Sequence, residues 1–235
     1  MNRTWILLTA IGLATVIPNV TLAVDGVVLI SQSSALAGSV TPGDTPGFPV
    51  TISVPGSYRL SSNLTAPDAN TDAIDITASH VTIDLNGFSI IGPTVCSLNQ
   101  NTCSPNNGSG VGISGYSNTS NIAVLNGDIH GMGSQGIILL GFGRVENVHV
   151  SSNGYAGISV GEGSKVSSCV VSNNGSDGIS ALPGAVISGN TTNHNRNDGI
   201  IALCPSLIEG NTANSNGVNI ITTGSGCVLA NNAAP

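Results

Sequence analysis

Four dipeptides, Gly136-Ile137, Gly157-Ile158, Gly178-Ile179 and Gly199-Ile200, recur at intervals of 21 residues, and no other feature of the sequence restricts its fold so severely. A fixed period of this length belongs to units that cannot bury an apolar face alone and must stack on their neighbours. Val145, Val166, Ile187 and Ile208 form a second column at the same step, and Val150, Val171 and Thr192 a third. Leucine-rich repeats have similar periods. Here, however, the apolar residues are mostly Ile and Val in runs too short for a helix, separated by Gly, Asn, Ser and Asp. About three strands per period with no helix between them predicts an all-β chain, a single-stranded parallel β-helix with coils of about 21 residues.

The ends of the chain follow other rules. Arg3, the apolar run Trp5 to Ile17 and the small-residue exit Thr21-Leu22-Ala23 read as a signal peptide over 1–23, cleaved after Ala23. The run is short for a membrane span and no later stretch replaces it, so the expected product is soluble and either secreted or periplasmic. Residues 24–49 read as an N-terminal cap and loop, since a solenoid end exposes core side chains and unpaired strands. Whether the cap is a short helix or a strand is left open by the sequence. The solenoid is expected over 50–235, interrupted by a loop insertion at about 93–110. The tail from Val228 carries no amphipathic cover, which leaves the last rung as a place for self-association.

Composition removes some functions. With five basic residues and a net charge of −7, the chain lacks the cations that nucleic acid or an anionic lipid surface demands. Five cysteines in an exported chain invite disulfides. Cys96 and Cys103 bracket a polar loop, Cys204 and Cys227 lie at nearly corresponding positions on successive coils, and Cys169 reads as interior filler. Neither CxxC nor paired HxxxH spacing marks a zinc site. Asn153, Asn174, Asn195 and Asn216 recur at the turn before each coil, and Asn190, Asn211 and Asn231 at steps of 21 and 20. Stacked asparagines about 4.8 Å apart can bond along the axis as ladders, which gives this abundance a structural reason.

The runs Asn197 to Ile200 and Val81 to Phe88, with the Gly-Asn-Thr turns at Gly189 and Gly210, resemble right-handed parallel β-helix repeat proteins. That superfamily includes pectate lyases, polygalacturonases, mannuronan epimerases and periplasmic NosD-like proteins. The segment from Val24 to Pro93 looks like the front end of exported bacterial β-helix proteins of unassigned function. The resemblance implies a right-handed coil; activity does not follow from fold.

Candidate chemistry comes from pairs one period apart. Asp177 and Asp198 precede the Gly-Ile of successive coils, in a column extending to Gln135 and Asn219. Neighbouring rungs would place the carboxylates about 5 Å apart, compatible with a retaining glycosidase pair or a shared Ca²⁺, the cofactor a lyase would use. Arg196 completes the one catalytic cluster suggested by these positions. Arg144 and Lys165 share a column suited to an anionic sugar, and Tyr155 sits at the turn beside the Asp column as a sugar platform. Asp128 and His149, one period apart, could orient a base or a metal, whereas His80, His130 and His194 occupy polar positions without ligand spacing.

Three readings follow. Scarce charge and few clustered titratable groups favour a non-catalytic carbohydrate-binding or surface scaffold module without a cofactor, its partner a polysaccharide. A polysaccharide lyase, glycoside hydrolase or epimerase acting on an acidic polysaccharide would centre on Asp177, Asp198 and Arg196. A periplasmic metal-handling accessory follows only from the NosD-like resemblance.

Overall fold

The computed structural model describes residues 26–97, 102–105, 108–116 and 118–235; the expected signal peptide lies outside them. Eight parallel strands, beginning with Val50–Ile52 and ending with Val218–Thr223, stack as one sheet of the solenoid. The remaining strands of the coils form a second continuous sheet that bends into two faces. One coil shows the pattern: Ile158–Glu162 lies in the first face, Lys165–Ser167 in the second and Val170–Ser172 in the third. Short β-branched runs suit this winding because alternate side chains point in and out. Ile158 and Val160 are buried, while Ser159 between them faces outward.

Corners are made by columns of left-handed residues. Asn126, Asn147, Ser168, Gly189, Gly210 and Asn231 turn the second face into the third, with φ between 55° and 64°. Gly131, Ser152, Asn173, His194 and Ser215 turn the third face towards the next coil. Asn tolerates this conformation because its short polar side chain bonds locally, so the corners need not be glycine.

The expected apolar columns meet in the core. Ile137 pairs with Ile158, Ile158 with Ile179 and Ile179 with Ile200, all fully buried. Each such side chain is worth about 1.5 to 3 kcal/mol when buried. Between the core and the third corner runs an amide ladder. Asn153 Nδ2 donates to Asn174 Oδ1 at 3.0 Å, Asn174 to Asn195 at 2.9 Å and Asn195 to Asn216 at 3.0 Å. Each Oδ1 also accepts the backbone N–H of the preceding asparagine, so both ends of the amide are used.

Two columns differ from the sequence expectation. The second ladder runs Asn190, Asn211 and Asn232, not Asn231, because Ile208 pairs with Leu229 and the 21-residue step is maintained there. Asn231 instead takes a left-handed corner. In the first face the last coil loses one residue: Ile200 pairs with Ile220, which sets Asp198 opposite Val218 and not Asn219. Asn219 Oδ1 accepts from Asn216 Nδ2 at 3.2 Å and terminates the first ladder.

At the N-terminal end, strand and helix both occur. Val27–Ile30 pairs with Gly56–Leu60, so the sheet already begins within the stretch read as the cap. Helix α1 (Gln32–Ala37) follows, its N-cap Ser31 accepting from Ser34 N and its Ala35 buried on the core. At the other end Leu229, aligned with the core column, is 52% exposed. Disulfides join Cys96 to Cys103 and Cys204 to Cys227, the latter tying the last two coils together. Cys169 is a buried free thiol whose N–H donates to Asn190 Oδ1.

The ladder should carry more stability than its polar composition suggests. Asn174→Ala strips the acceptor from two buried donors of Asn153, and urea unfolding should show a loss of about 2 to 4 kcal/mol. Asn193→Ala, on the outer face of the next coil, should stay within about 0.5 kcal/mol.

Candidate functional site

Strands Ile122–His130 and Arg144–Ser151 are long because each runs through the second corner. Their last residues place polar groups on the outside of the third face. Asp128 pairs with His149 in register, and His130 lies two residues beyond Asp128, hence on the same face. His130 Nδ1 is 2.5 Å from Asp128 Oδ2, and His149 Nδ1 is 3.2 Å from Asp128 Oδ1. The first contact is a well-directed hydrogen bond. The second has ion-pair distance without hydrogen-bond alignment, which leaves Oδ1 short of a donor.

The electrostatics follow from this geometry. Burial pushes the Asp128 carboxyl up, but the hydrogen bond from His130 and the Coulombic pull of His130 and His149 outweigh it and hold the group well below its ordinary 3.8. The bond to Asp128 raises His130 above its ordinary 6.5, against the opposing effect of burial. An imidazole whose Nδ1 is fixed by a carboxylate presents Nε2 in one orientation, suited to hydrogen bonding or proton transfer.

From this cluster, two rows descend the third face, polar except at the exposed Val170. His149, Val170, Thr191 and Thr212 form one row, and His130, Ser151, Ser172, Asn193 and Asn214 the other, each step one rung. Among the described residues, the side chains of Ser151, Ser172, Thr191, Asn193, Thr212 and Asn214 form no hydrogen bond. This separates them from the ladder asparagines, whose amides are consumed internally.

One side of the strip has a wall. The antiparallel strands Val95–Ser97 and Thr102–Ser104, joined by the Cys96–Cys103 disulfide, rise from beside His130. Gly92 N donates to His130 O at 2.9 Å and Thr94 N to Gly131 O at 2.7 Å. Two rungs on, Asn173 Nδ2 donates to Cys96 O at 3.1 Å. Gly175 is required there: a Cβ would stand 2.3 Å from Gly154 O on the neighbouring rung and 3.0 Å from Cys103 Sγ.

The other candidates are arranged differently. Asp177 and Asp198 are stacked, with Asp198 N donating to Asp177 Oδ1 at 3.2 Å. Burial and then the Asp177 charge raise the Asp198 carboxyl above its ordinary value. Arg196 does not complete this pair: among the described residues it makes no ion pair, and its backbone N–H donates to Asn174 O. Tyr155 is aligned with Ser176 and Asn197, beside the Asp column and not within it. Arg144 and Lys165 share a column as expected, but on the second face, where Arg144 is engaged by Glu146 at 3.2 Å. Among the described residues, no group of three or more His, Cys, Asp or Glu is arranged to hold a metal.

Two features gain no role from the sequence alone. His130 was visible as the i+2 neighbour of Asp128, a spacing that shares a strand face. The second is a seam under the inserted segment, where the buried Ser114 hydroxyl lies 3.1 Å from Asp75 Oδ1 and 3.3 Å from Asp72 Oδ2. Asp72 Oδ1 also accepts Val111 N at 2.7 Å. Burial first, then the charge of Asp75, raises the Asp72 carboxyl against these hydrogen bonds.

Residues 68–234 match the family described as right handed beta helix region, which covers more than half of the chain. The chain belongs to that family. Two solved structures share the right-handed β-helix fold. The A-module of the Azotobacter vinelandii mannuronan C-5 epimerase AlgE4 aligns at 14% identity with a TM-score of 0.56, over 88% of this chain and 66% of the other. The pectate lyase Pel9A aligns at 14% identity with a TM-score of 0.52, over 87% and 59%. This β-helix protein thus spans less than two thirds of either chain, and the likeness concerns fold. No curated protein matches it by sequence.

The Asp128 to His130 bond has a measurable sign. His130 contributes stability fully below pH 6.5, lost as pH rises through its higher folded pKa; Asp128 contributes above pH 3.8, lost as pH falls towards its lower folded value. Stabilisation by the pair should therefore be greatest between these two values. NMR titration should place His130 above 6.5 and show Asp128→Asn moving it down.

Proposed function

We propose that this β-helix protein is an exported polysaccharide-binding module, whose ligand lies along the solenoid axis on the third face. The observation that carries the reading is the pair of rows beyond His130 and His149, polar except at Val170, with at least one hydroxyl or amide at every rung left free among the described residues. A polymer running across rungs meets such groups about every 4.8 Å, so a repeating ligand can match a repeating surface. The disulfide-joined strand pair supplies a fixed side to the strip. The two structural neighbours, named as a mannuronan epimerase and a pectate lyase, support polysaccharide as the ligand class. Export is supported by two disulfides, which persist in oxidising compartments. Among the described residues, no helix is long and apolar enough to cross a membrane.

A second reading is favoured by one contact. With Nδ1 bonded to Asp128, His130 directs Nε2 at the ligand, and a neutral imidazole there could take the proton beside a uronate carboxylate. Elimination and epimerisation both begin with that step.

The test is a screen of the purified protein against uronate and neutral polysaccharides, with and without Ca²⁺, following affinity, unsaturated product and reducing ends. Binding without turnover, weakened about tenfold or more by the double change Ser172→Ala and Asn193→Ala, is the expected result. Turnover abolished by His130→Ala would replace binding with the enzymatic reading. Absence of binding to any polysaccharide would reject both.

A further inference from the structure

A second depression, on another face, carries features that neither packing nor the third-face strip requires. It lies over the corner between the second and third faces, with a volume of about 430 Å³, within the range of small-molecule sites. The corner column is held in the left-handed conformation by Asn126, Asn147, Ser168 and Asn231, yet by glycine at 189 and 210. Backbone geometry does not demand those glycines, since Asn and Ser adopt the same φ on neighbouring rungs. Crowding does not demand them either. A Cβ at Gly189 would meet nothing within 4 Å, and one at Gly210 only Gly189 N at 3.9 Å. Their missing side chains leave open space above the corner.

The floor adds an independent sign of a ligand. In Lys165–Ser167, Val166 points into the core, so Ser167 points outward by alternation. Ser167 is nevertheless only 5% exposed, and its Oγ has no hydrogen-bond partner among the described residues. Buried hydroxyls are ordinarily satisfied, and Ser167 belongs to the lining of the depression.

The lining also states which ligand fits. Glu146, Ser167, Ser188 and Glu209 follow one another at single-rung steps, spanning about 14 Å. Lys165 supplies an ammonium and the two glutamates supply carboxylates. Arg144 already neutralises Glu146 at 3.2 Å and Lys165 offsets Glu209, so the lining offers no net positive charge to hold a uronate. A sugar hydroxyl both donates and accepts, so vicinal hydroxyls can serve a carboxylate, a serine and an ammonium together without bringing a charge of their own. With no aromatic ring in the lining, attachment rests on hydrogen bonds and is weak.

We propose that this depression binds a short neutral oligosaccharide, at a site separate from the polysaccharide strip. Saturation-transfer NMR and calorimetry with maltotriose, cellotriose, mannotriose and trigalacturonate test it directly. At least one neutral trisaccharide should bind in the millimolar range. The double change Gly189→Asn and Gly210→Asn, which fills the space while retaining the corner conformation, should weaken that binding about tenfold or more. Ser188→Gln, which fills it from the outer face, gives the same readout should the double variant fail to fold. Asn193→Ala with Asn214→Ala, on the strip, should leave it unchanged, which separates failure here from failure of the strip. Neutral trisaccharides that do not bind, or that bind the filled variants as well as the unaltered protein, would overturn the proposal.

Discussion

Rung-to-rung hydrogen bonding at a constant 21-residue step is the constraint on which the rest of the molecule depends. Parallel strands a few residues long are individually negligible; they persist because every coil is paired above and below. The same step brings Asn153, Asn174 and Asn195 into line, and each amide then closes a hydrogen bond that a buried turn would otherwise leave open. Removing water from a polar turn is tolerable only when the partner arrives in register. Core columns and amide ladders therefore reinforce one another.

From that regularity follows the division between interior and surface chemistry. Asn193 and Asn195 are two residues apart, and one is free on a strand while the other is consumed in a ladder. Residue type does not distinguish them; position relative to the corner does. The strip on the third face is the outward expression of the step that builds the core, with the Asp128, His130 and His149 cluster at one end and the disulfide-joined strand pair beside it. The depression over Gly189 and Gly210 arises differently, by omission of side chains from an otherwise filled corner.

Much of the fold was legible in the sequence. From Gly136 onward the columns of Ile, Val and Asn could be aligned by counting, and their pairings follow the count through Ile200. Legibility ended where the count was interrupted. The inserted segment separates Asp75 from Ser114 by 39 residues, so the seam between them is invisible to a search at period 21. One residue lost in the last coil moved Asn219 out of the Asp column and into the end of a ladder. His130, set among polar positions without ligand spacing, gained no partner for another reason: the count compares rungs, whereas Asp128 lies two residues back along the same strand. Arg196 shows the converse, being close in sequence to Asp198 yet forming no ion pair with it among the described residues.

The central claim is that ladder amides hold the solenoid together while the amides on the third face remain available to a ligand. Side-chain amide NMR during titration with a bound polysaccharide tests it most directly. Perturbations at Asn193 and Asn214, with those of Asn174 and Asn195 unmoved, are the predicted result. Perturbations centred instead on the turn carrying Asp177 and Asp198, with Asn193 and Asn214 silent, would contradict it.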